Sequence, residues 1–346
     1  MRSGNRSGLL LSLFVLLSLV SLRADTLSLV HQQRYSMGTM FDIIVYHSSR
    51  PDAERAIERA MDEIVRLDRV MSHYQADSNL SKLNREGGSG FIVVEPSLYE
   101  VIQESIWFSR QSSGAFDVTI APLLRKWKEA LEEGRRPSAG EISDAQRCVG
   151  YQQIEVSAPD RIRFRSPCVE LDLGGIGKGY AVDRAIAMLR SDGIRHALVN
   201  AGGSSITALG APPGTQGWPV TVGRKVLTLR DRSLSTSQQN GEILDPRTGS
   251  PAETMTAVSV LTRRATAADA LSTTLVILPI EEGVRLLGRF PDASAVWMSA
   301  GGDVITAYGE SRIQWLKNEV LGFSVPGSQF VGSRVLGSNP RTLEPN

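Results

Sequence analysis

The sequence has little of what soft-metal sites and nucleic-acid surfaces require. It contains only two cysteines and four histidines among 346 residues, which leaves little material for a zinc or similar site. Lysine and arginine number 38 against 37 aspartate and glutamate, so the formal net charge is +1. No run of basic residues occurs, and we therefore expect no nucleic-acid partner.

The two cysteines, Cys148 and Cys168, leave their redox state open. In an oxidising compartment they could form a disulfide. Isolated cysteines are more often buried as small hydrophobic side chains, and this is the expectation that we favour.

Long apolar runs are absent apart from residues 9–22, which follow two arginines. A basic start, a short apolar segment and a small residue at Ala24 predict a signal peptide over residues 1–24, and hence an exported, periplasmic or cell-envelope protein. A membrane span normally needs about 20 apolar residues. Leu22, however, occupies the third position before the cleavage site, where a small residue is expected. An uncleaved inner-membrane anchor is therefore the alternative.

What is present is a globular composition, 41% hydrophobic and 22% charged, which suits one large domain over residues 25–321. "FDIIVY" has the pattern of a strand, and residues 51–74 place apolar side chains on one helical stripe. A second helix begins in "PSLYE", where Ser97 and Glu100 match a capping box, and it ends at Gly114.

The remaining chain mixes hairpins with crossover helices. Residues 132–150 are polar and turn-rich, which indicates a surface excursion, and residues 154–167 have the pattern of a hairpin. Further helices are expected over 180–192, with Gly193 beyond the end, and over 266–277 and 281–287, and a last hairpin is expected over 294–308. This mixture predicts an α+β fold rather than a doubly wound sheet. The tail, 322–346, is rich in Gly, Ser and Pro, which predicts disorder.

The stretch "LDLGGIGKGYAVD", residues 171–183, carries four glycines between an acidic strand end and a helical pattern. It has neither the GxxxxGK[ST] spacing of a P-loop nor the GxGxxG order of a dinucleotide fingerprint. Its simplest interpretation is a tight strand-to-helix connection. Four glycines exceed what a turn needs, so we predict that the backbone approaches a ligand closely, with the amides at the helix start facing an anion.

Asp269 and Thr273 lie four residues apart in a predicted helix, which places both side chains on one face. A carboxylate and a hydroxyl there suit a hard cation that keeps several waters, such as Mg²⁺. The alternative role is local, with Thr266 capping the helix and Asp269 at its third position. Asp117 and Thr119 similarly occupy alternate positions of a predicted strand and face one side.

Taken together and in order, the motifs resemble those of the ApbE family, the FAD:protein FMN transferases. The resemblance runs from about Tyr35 to Ile277. It implies an exported flavin-binding protein with an α+β fold and an elongated FAD cleft. The motifs that carry it are "MGT", "MSHYQADSNLSKLN", "GAFDVTIAPLLRKW", "LDLGGIGKGYAVD", "NAGG", "LSTS", "LDPRTG" and "ADALSTTL".

The resemblance also implies the chemistry and the residues. Such enzymes use Mg²⁺ to cleave the FAD pyrophosphate, join FMN to a threonine or serine of a partner protein and release AMP, whereas some relatives hydrolyse FAD to FMN and AMP. By motif, Gly175 would bind Mg²⁺ through its carbonyl, and Asp269 and Thr273 through their side chains. The implied FAD contacts are Met37, Tyr74, Ala115, Phe116, Asp117, Asp172, Lys178 and Leu244.

One departure from the family concerns the loop over residues 234–249, which is shortened. The family has a histidine three residues before Asp245, associated with the transfer step, and this chain has Glu242 there. Glu242 is therefore our candidate catalytic base. The departure puts transfer in doubt more than FAD binding, so an FAD-binding protein without transfer and an FAD pyrophosphatase are the alternatives. The expected partner is a membrane or exported protein with a flavinylation Thr/Ser motif, such as a subunit of a respiratory redox pump.

Overall fold

The computed structural model describes residues 27–239, 241, 243–252 and 257–316. The predicted signal peptide, the predicted disordered tail and Glu242 lie outside these described residues. Within them, none of the helices is both long and apolar enough to cross a membrane.

The described chain has fifteen strands. In chain order they are β1 (Ser28–Ser36), β2 (Thr39–His47), β3 (Ile92–Val93), β4 (Ile154–Ser157), β5 (Arg161–Phe164), β6 (Ala197–Ala201), β7 (Ser205–Leu209), β8 (Trp218–Val222), β9 (Lys225–Leu229), β10 (Arg232–Gln238), β11 (Leu244–Asp245), β12 (Ser250–Pro251), β13 (Ala257–Thr262), β14 (Ser294–Met298) and β15 (Val304–Tyr308). Eight of them, β6 to β13, follow one another without an intervening helix.

The helices of the described chain are α1 (Arg50–Met71), α2 (Asn79–Glu86), α3 (Pro96–Gln111), α4 (Ala121–Glu132), α5 (Ala139–Gln146), α6 (Gly177–Ser191), α7 (Ala265–Ile277) and α8 (Ile280–Leu287), with short 3₁₀ turns at Val118–Ile120, Tyr151–Gln153 and Glu310–Arg312. The five helices predicted from the sequence are present as α1, α3, α6, α7 and α8, and α2, α4 and α5 are further helices of the described chain.

An antiparallel sheet of eight strands is the centre of the described structure. Its order is β1-β2-β6-β7-β10-β13-β14-β15, and every neighbouring pair is antiparallel. The hairpin β8–β9 and the three strands β3-β5-β4 form small separate sheets. The predicted α+β class is confirmed, because neighbouring strands pair antiparallel and the helices pack beside them.

The central sheet is covered on both faces. On β2, Phe41, Ile43 and Val45 belong to the main core, whereas Ile44 belongs to a second cluster on the opposite face, because successive side chains of a strand alternate between faces. The second cluster includes Trp218 of the β8–β9 hairpin. The hairpin therefore closes the face that the helices leave uncovered.

Helices α1, α6 and α7 cover the main core. The predicted stripe of α1 is confirmed, with Ala53, Ile57 and Ile64 all buried. Burying a side chain of the size of isoleucine contributes about 1.5–3 kcal/mol. Helix α7 is buried around almost its whole circumference, since it contacts β10, β13 and α6. Asp269 of α7 is thereby held in the interior.

The start of α3 differs from the predicted capping box. The N-cap is Glu95, whose carboxylate accepts a hydrogen bond from the Ser97 amide at 2.8 Å. A proline follows at the first helical position, where its missing N–H is no loss. Glu100 instead accepts a hydrogen bond from the Tyr180 hydroxyl at 2.6 Å. The predicted end is confirmed, since Gly114 adopts a φ of +81° beyond the last turn.

The polar segment 132–150 is more ordered than the sequence predicted. It contains α5, which begins with a capping box between Ser138 and Glu141. Cys148 follows this helix and forms a disulfide with Cys168. The expectation of two buried, unpaired thiols was therefore wrong. The disulfide ties the end of α5 to the segment that leads into the glycine stretch.

Candidate active site

A cavity of about 1730 Å³ is lined by α4, the loop before α6, the end of β10 and α7. Sites for drug-sized molecules occupy about 300–1,000 Å³, so this cavity has room for a ligand larger than a typical drug molecule. The predicted site residues that line it are Tyr74, Ala115, Phe116, Asp117, Asp172, Gly175, Lys178, Leu244, Asp269 and Thr273.

Met37 is the predicted contact among the described residues that does not line the cavity. It adopts a φ of +50° at the tip of the β1–β2 hairpin, and its amide donates to Asp68 Oδ2 at 2.9 Å. Its side chain packs against the main core near Gly177, the first residue of α6. Met37 therefore lies beside the glycine stretch, and its contact with a ligand stays a prediction.

The glycines of the stretch serve close approach rather than unusual backbone angles, since none of them has a positive φ. At Gly179, a Cβ would come within 2.3 Å of the Ala265 carbonyl oxygen. This glycine is therefore required for the packing of α6 on α7. At Gly175, a Cβ would come within 3.2 Å of both Phe116 and Thr273, so the backbone itself forms the cavity wall there.

The start of α6 has no side-chain cap from its own N-cap residue. The amide of Gly179 instead donates to Asp269 Oδ2 at 2.8 Å. The sequence predicted an anion at this helix start, and the anion that the structure shows at Gly179 is the protein's own Asp269. The hydrogen bond from Gly179 also orients the Asp269 carboxylate relative to the glycine stretch.

The predicted metal ligands lie together. Thr273 Oγ1 is 3.5 Å from the Gly175 carbonyl oxygen, and Asp269 lies one turn earlier on α7. Ser235 Oγ donates to Asp269 Oδ1 at 3.2 Å, and Ser237 Oγ is 3.3 Å from Thr273 Oγ1. Asp269 Oδ1 accepts the hydrogen bond from Ser235 and Oδ2 accepts the one from the Gly179 amide. A carboxylate has about four lone-pair sites, so Asp269 can still bind a cation.

The chemistry of this group fits a hard cation. Its donors are a carboxylate, a hydroxyl and a carbonyl, and the described residues contain no cluster of three or more His, Cys, Asp or Glu that could hold a metal. Mg²⁺ often takes only one or two protein carboxylates and completes its shell with water and phosphate oxygens. Burial raises the pKa of the Asp269 carboxyl, and the positive charge of Lys178 opposes this rise. A bound cation would favour the carboxylate further.

The start of α7 is capped from another helix. Asp183 of α6 accepts hydrogen bonds from the amides of Ala265 and Thr266, at 2.7 and 3.0 Å, and from the Thr266 hydroxyl at 2.6 Å. The alternative role, in which Thr266 caps this helix, is therefore not observed, because its hydroxyl donates to Asp183. Asp269 is not needed as a cap, which leaves its side chain to the cavity.

Asp117 and Thr119 do not lie on a strand as predicted. Asp117 is the N-cap of the 3₁₀ turn that follows it. Its Oδ1 accepts from the Thr119 amide and hydroxyl at 2.9 and 2.7 Å, and its Oδ2 accepts from the Tyr151 amide at 2.6 Å. Burial raises the pKa of the Asp117 carboxyl, and these hydrogen bonds oppose the rise. Asp117 therefore positions the wall of the cavity.

His73 was not among the site residues predicted from the sequence. This side chain lines the cavity, its Nδ1 lies 3.3 Å from Asp172 Oδ2, and its ring lies against that of Tyr74 with 3.8 Å between centroids. Asp172 Oδ1 accepts from the Gly174 amide at 2.6 Å. The only signal in the sequence was a histidine inside the motif "MSHY", whereas the pairing with Asp172 depends on the fold.

Comparisons with known proteins identify the family of the chain. The model of the ApbE family matches residues 37–297. An FAD:protein FMN transferase of Treponema pallidum is 31% identical over 301 residues, which cover 76% of this chain and 82% of that protein. An FAD:protein FMN transferase of Escherichia coli is 25% identical over 303 residues, which cover 79% of this chain and 84% of that protein.

A solved structure shows the same fold. The crystal structure of the Pseudomonas stutzeri flavinyl transferase ApbE, in its apo form, matches this chain with a TM-score of 0.75 and 27% sequence identity. The match covers 82% of this chain and 96% of that one.

Proposed function

The chain belongs to the ApbE family, and from this membership we propose that it is an FAD:protein FMN transferase. In the proposed reaction it cleaves the pyrophosphate of FAD, attaches FMN through a phosphoester to a threonine or serine of a partner protein and releases AMP. The observation that carries the proposal is that one cavity is lined both by the aromatic side chains of Tyr74 and Phe116 and by the oxygen cluster, which consists of Gly175, Asp269 and Thr273.

The proposed reaction requires Mg²⁺. Gly175, through its carbonyl, and Asp269 and Thr273, through their side chains, would hold the ion. Bound there, the ion would neutralise charge on the pyrophosphate oxygens and so make the phosphorus open to attack. Ser235 and Gly179 donate hydrogen bonds to the Asp269 carboxylate. These bonds orient the carboxylate toward the proposed ion.

The nucleophile comes from the partner protein, so the chain needs no nucleophile of its own. The described part of the cavity serves to bind and align FAD, because holding both ends of the molecule fixes the position of its pyrophosphate. We propose as partner a membrane or exported protein with a threonine or serine in a pattern such as Asp-x-x-Thr-x-Ala-Thr. Glu242, the candidate base at the place of the family's histidine, lies outside the described residues and stays a prediction.

The shortened loop 234–249 favours the two alternative functions, an FAD-binding protein without transfer and an FAD pyrophosphatase in which water replaces the threonine. One incubation separates the three functions. The protein is mixed with FAD, Mg²⁺ and a fusion protein that carries the threonine pattern, and the products are followed by in-gel flavin fluorescence and by AMP release. A fluorescent acceptor band supports the transferase, AMP without the band indicates the pyrophosphatase, and neither product indicates the binding protein.

We also propose that the protein is exported. The basic start and apolar segment before Ala24 support this, and so does the disulfide between Cys148 and Cys168, since disulfides persist in oxidising compartments. Mass spectrometry of the protein from the cell envelope tests the proposal. A mature N-terminus at residue 25 would support cleavage, an intact N-terminus in the membrane fraction would indicate an anchor, and recovery from the cytosol would contradict export.

A further inference from the structure

The pair formed by His73 and Asp172 occupies the same cavity as the oxygen cluster. We propose that His73 is the group that accepts the proton of the partner's hydroxyl in this chain, and that Asp172 is its positioning residue. This inference rests on the proposed transferase function.

Two side chains lie directly against the His73 ring. Asp172 Oδ2 lies 3.3 Å from its Nδ1, and the ring of Tyr74 lies against it with 3.8 Å between centroids. A carboxylate at Nδ1 favours the tautomer that carries its proton there, which leaves Nε2 as the acceptor. No described residue hydrogen-bonds to Nε2. An imidazole in this state is the commonest general base in enzymes.

One carboxylate connects His73 to the glycine stretch. While Oδ2 of Asp172 faces His73, its Oδ1 accepts the Gly174 amide at 2.6 Å. The next residue, Gly175, presents the carbonyl that lies 3.5 Å from Thr273 Oγ1. The carboxylate therefore fixes the histidine relative to the loop that approaches the pyrophosphate in the proposed reaction.

The other carboxylates in the described lining of the cavity are already engaged. Asp117 accepts three hydrogen bonds from Thr119 and Tyr151. Glu170 forms an ion pair with Arg125, and Glu132 one with Lys128 at 4.0 Å. Asp269 is buried and accepts from Gly179 and Ser235. Of the four histidines, only His73 lines the cavity.

The proposed step balances without any further reactant. The oxygen of the partner's threonine forms a bond to the phosphorus of the FMN half, and the bond between that phosphorus and the bridging oxygen breaks. The bridging oxygen leaves with AMP, and the proton of the threonine moves to His73 Nε2. No group is oxidised or reduced.

The test compares His73→Gln with His31→Gln, a matched control in which a second histidine, paired with Asp42 at 3.0 Å, lies outside the cavity. Transfer of FMN to a fusion protein with the Asp-x-x-Thr-x-Ala-Thr pattern is measured at saturating FAD, and FAD affinity by fluorescence titration. We expect His73→Gln to lower the transfer rate by about 10²–10³-fold with FAD affinity within about twofold, and His31→Gln to change neither.

A chemical rescue separates catalysis from packing. In His73→Gly, added imidazole should restore part of the transfer rate, because a diffusible base can enter the space left by the ring, whereas a purely structural role would give no rescue. Transfer by His73→Gln at the parent rate, loss that follows FAD affinity alone, or loss confined to Glu242→Gln would overturn the inference while the proposed function stands. Failure of the parent protein to label the fusion protein would remove the proposed function and the inference together.

Discussion

The hydroxyl of Thr273 lies 3.5 Å from the carbonyl oxygen of Gly175, although 98 residues separate them in the sequence. The contact exists because Gly179 lets α6 lie directly on α7, so that the glycine stretch before α6 meets the inner face of α7. The position of two helices therefore decides whether these oxygens can serve one cation.

Thr273→Val removes the hydroxyl and keeps the shape of the side chain. We expect FAD cleavage to require about 10-fold more Mg²⁺, because one of the proposed ligands is lost. Thr274→Val is the matched control, since the Thr274 hydroxyl donates to Ala270 O of its own helix at 2.7 Å and does not line the cavity. A Mg²⁺ titration of AMP release measures both. Equal requirements in the two variants would contradict the assignment of Thr273.

Asp269→Asn keeps an oxygen that can accept the Gly179 amide but removes the negative charge. We expect a folded protein in which FAD cleavage is lower by about 10²–10³-fold, the usual effect of removing one electrostatic contribution at a reacting centre. AMP release reports the activity and thermal unfolding reports the fold. The metal assignment would be falsified if the folded variant cleaved FAD at the parent rate.

Tyr74→Ala tests the flavin pocket. Tyr74 is 85% exposed and lines the cavity beside His73, so an aromatic ligand in the cavity would meet its ring. Such packing contributes about 0.5–1.5 kcal/mol beyond burial, and we expect a severalfold weaker binding of FAD. Phe91→Ala, at an exposed ring on a different surface that stacks with Arg163, should leave the affinity unchanged. Fluorescence titration with FAD distinguishes these results.

Gly179→Ala tests the packing of α6 on α7. The added Cβ would meet the backbone of Ala265 at 2.3 Å, and such overpacking costs about 1–3 kcal/mol of unfolding free energy. Gly140→Ala, in α5 where the nearest side-chain atom is 4.0 Å from the new Cβ, should instead stabilise by up to about 1 kcal/mol. Urea unfolding measures both changes. Similar values for the two glycines would argue against a packing role for Gly179.

Reduction of the Cys148–Cys168 disulfide should lower the unfolding free energy by about 2–4 kcal/mol, because the unfolded chain has more conformational entropy without the bridge. Thermal unfolding with and without a phosphine reductant measures the change. The double variant Cys148→Ser, Cys168→Ser should unfold at the temperature of the reduced protein and should not respond to the reductant. A parent protein that ignored the reductant would show that the bridge adds no stability.

The sequence by itself determined the helices and strands whose apolar side chains recur at regular intervals. The apolar stripe of α1 and the alternation in β2 needed no tertiary information, because a helix and a strand place their side chains at fixed intervals. Of the site residues that the motifs indicated, all the described ones except Met37 line the cavity. The same local reasoning failed at Ser97 and Thr266, where the hydrogen-bond partner was not the one that the spacing suggested, and at Thr119, which lies in a 3₁₀ turn and not on a strand.

Only the tertiary structure decided which distant groups meet. Asp183 caps α7 from 82 residues away, Asp172 holds His73, and Cys148 reaches Cys168. Each of these contacts depends on how two separate elements pack, and a one-dimensional pattern carries no information on that packing. The sequence thus determined which chemical groups the chain possesses, and the antiparallel sheet with its helices decided which of them share one cavity, because side chains act only on the atoms within a few ångströms of them.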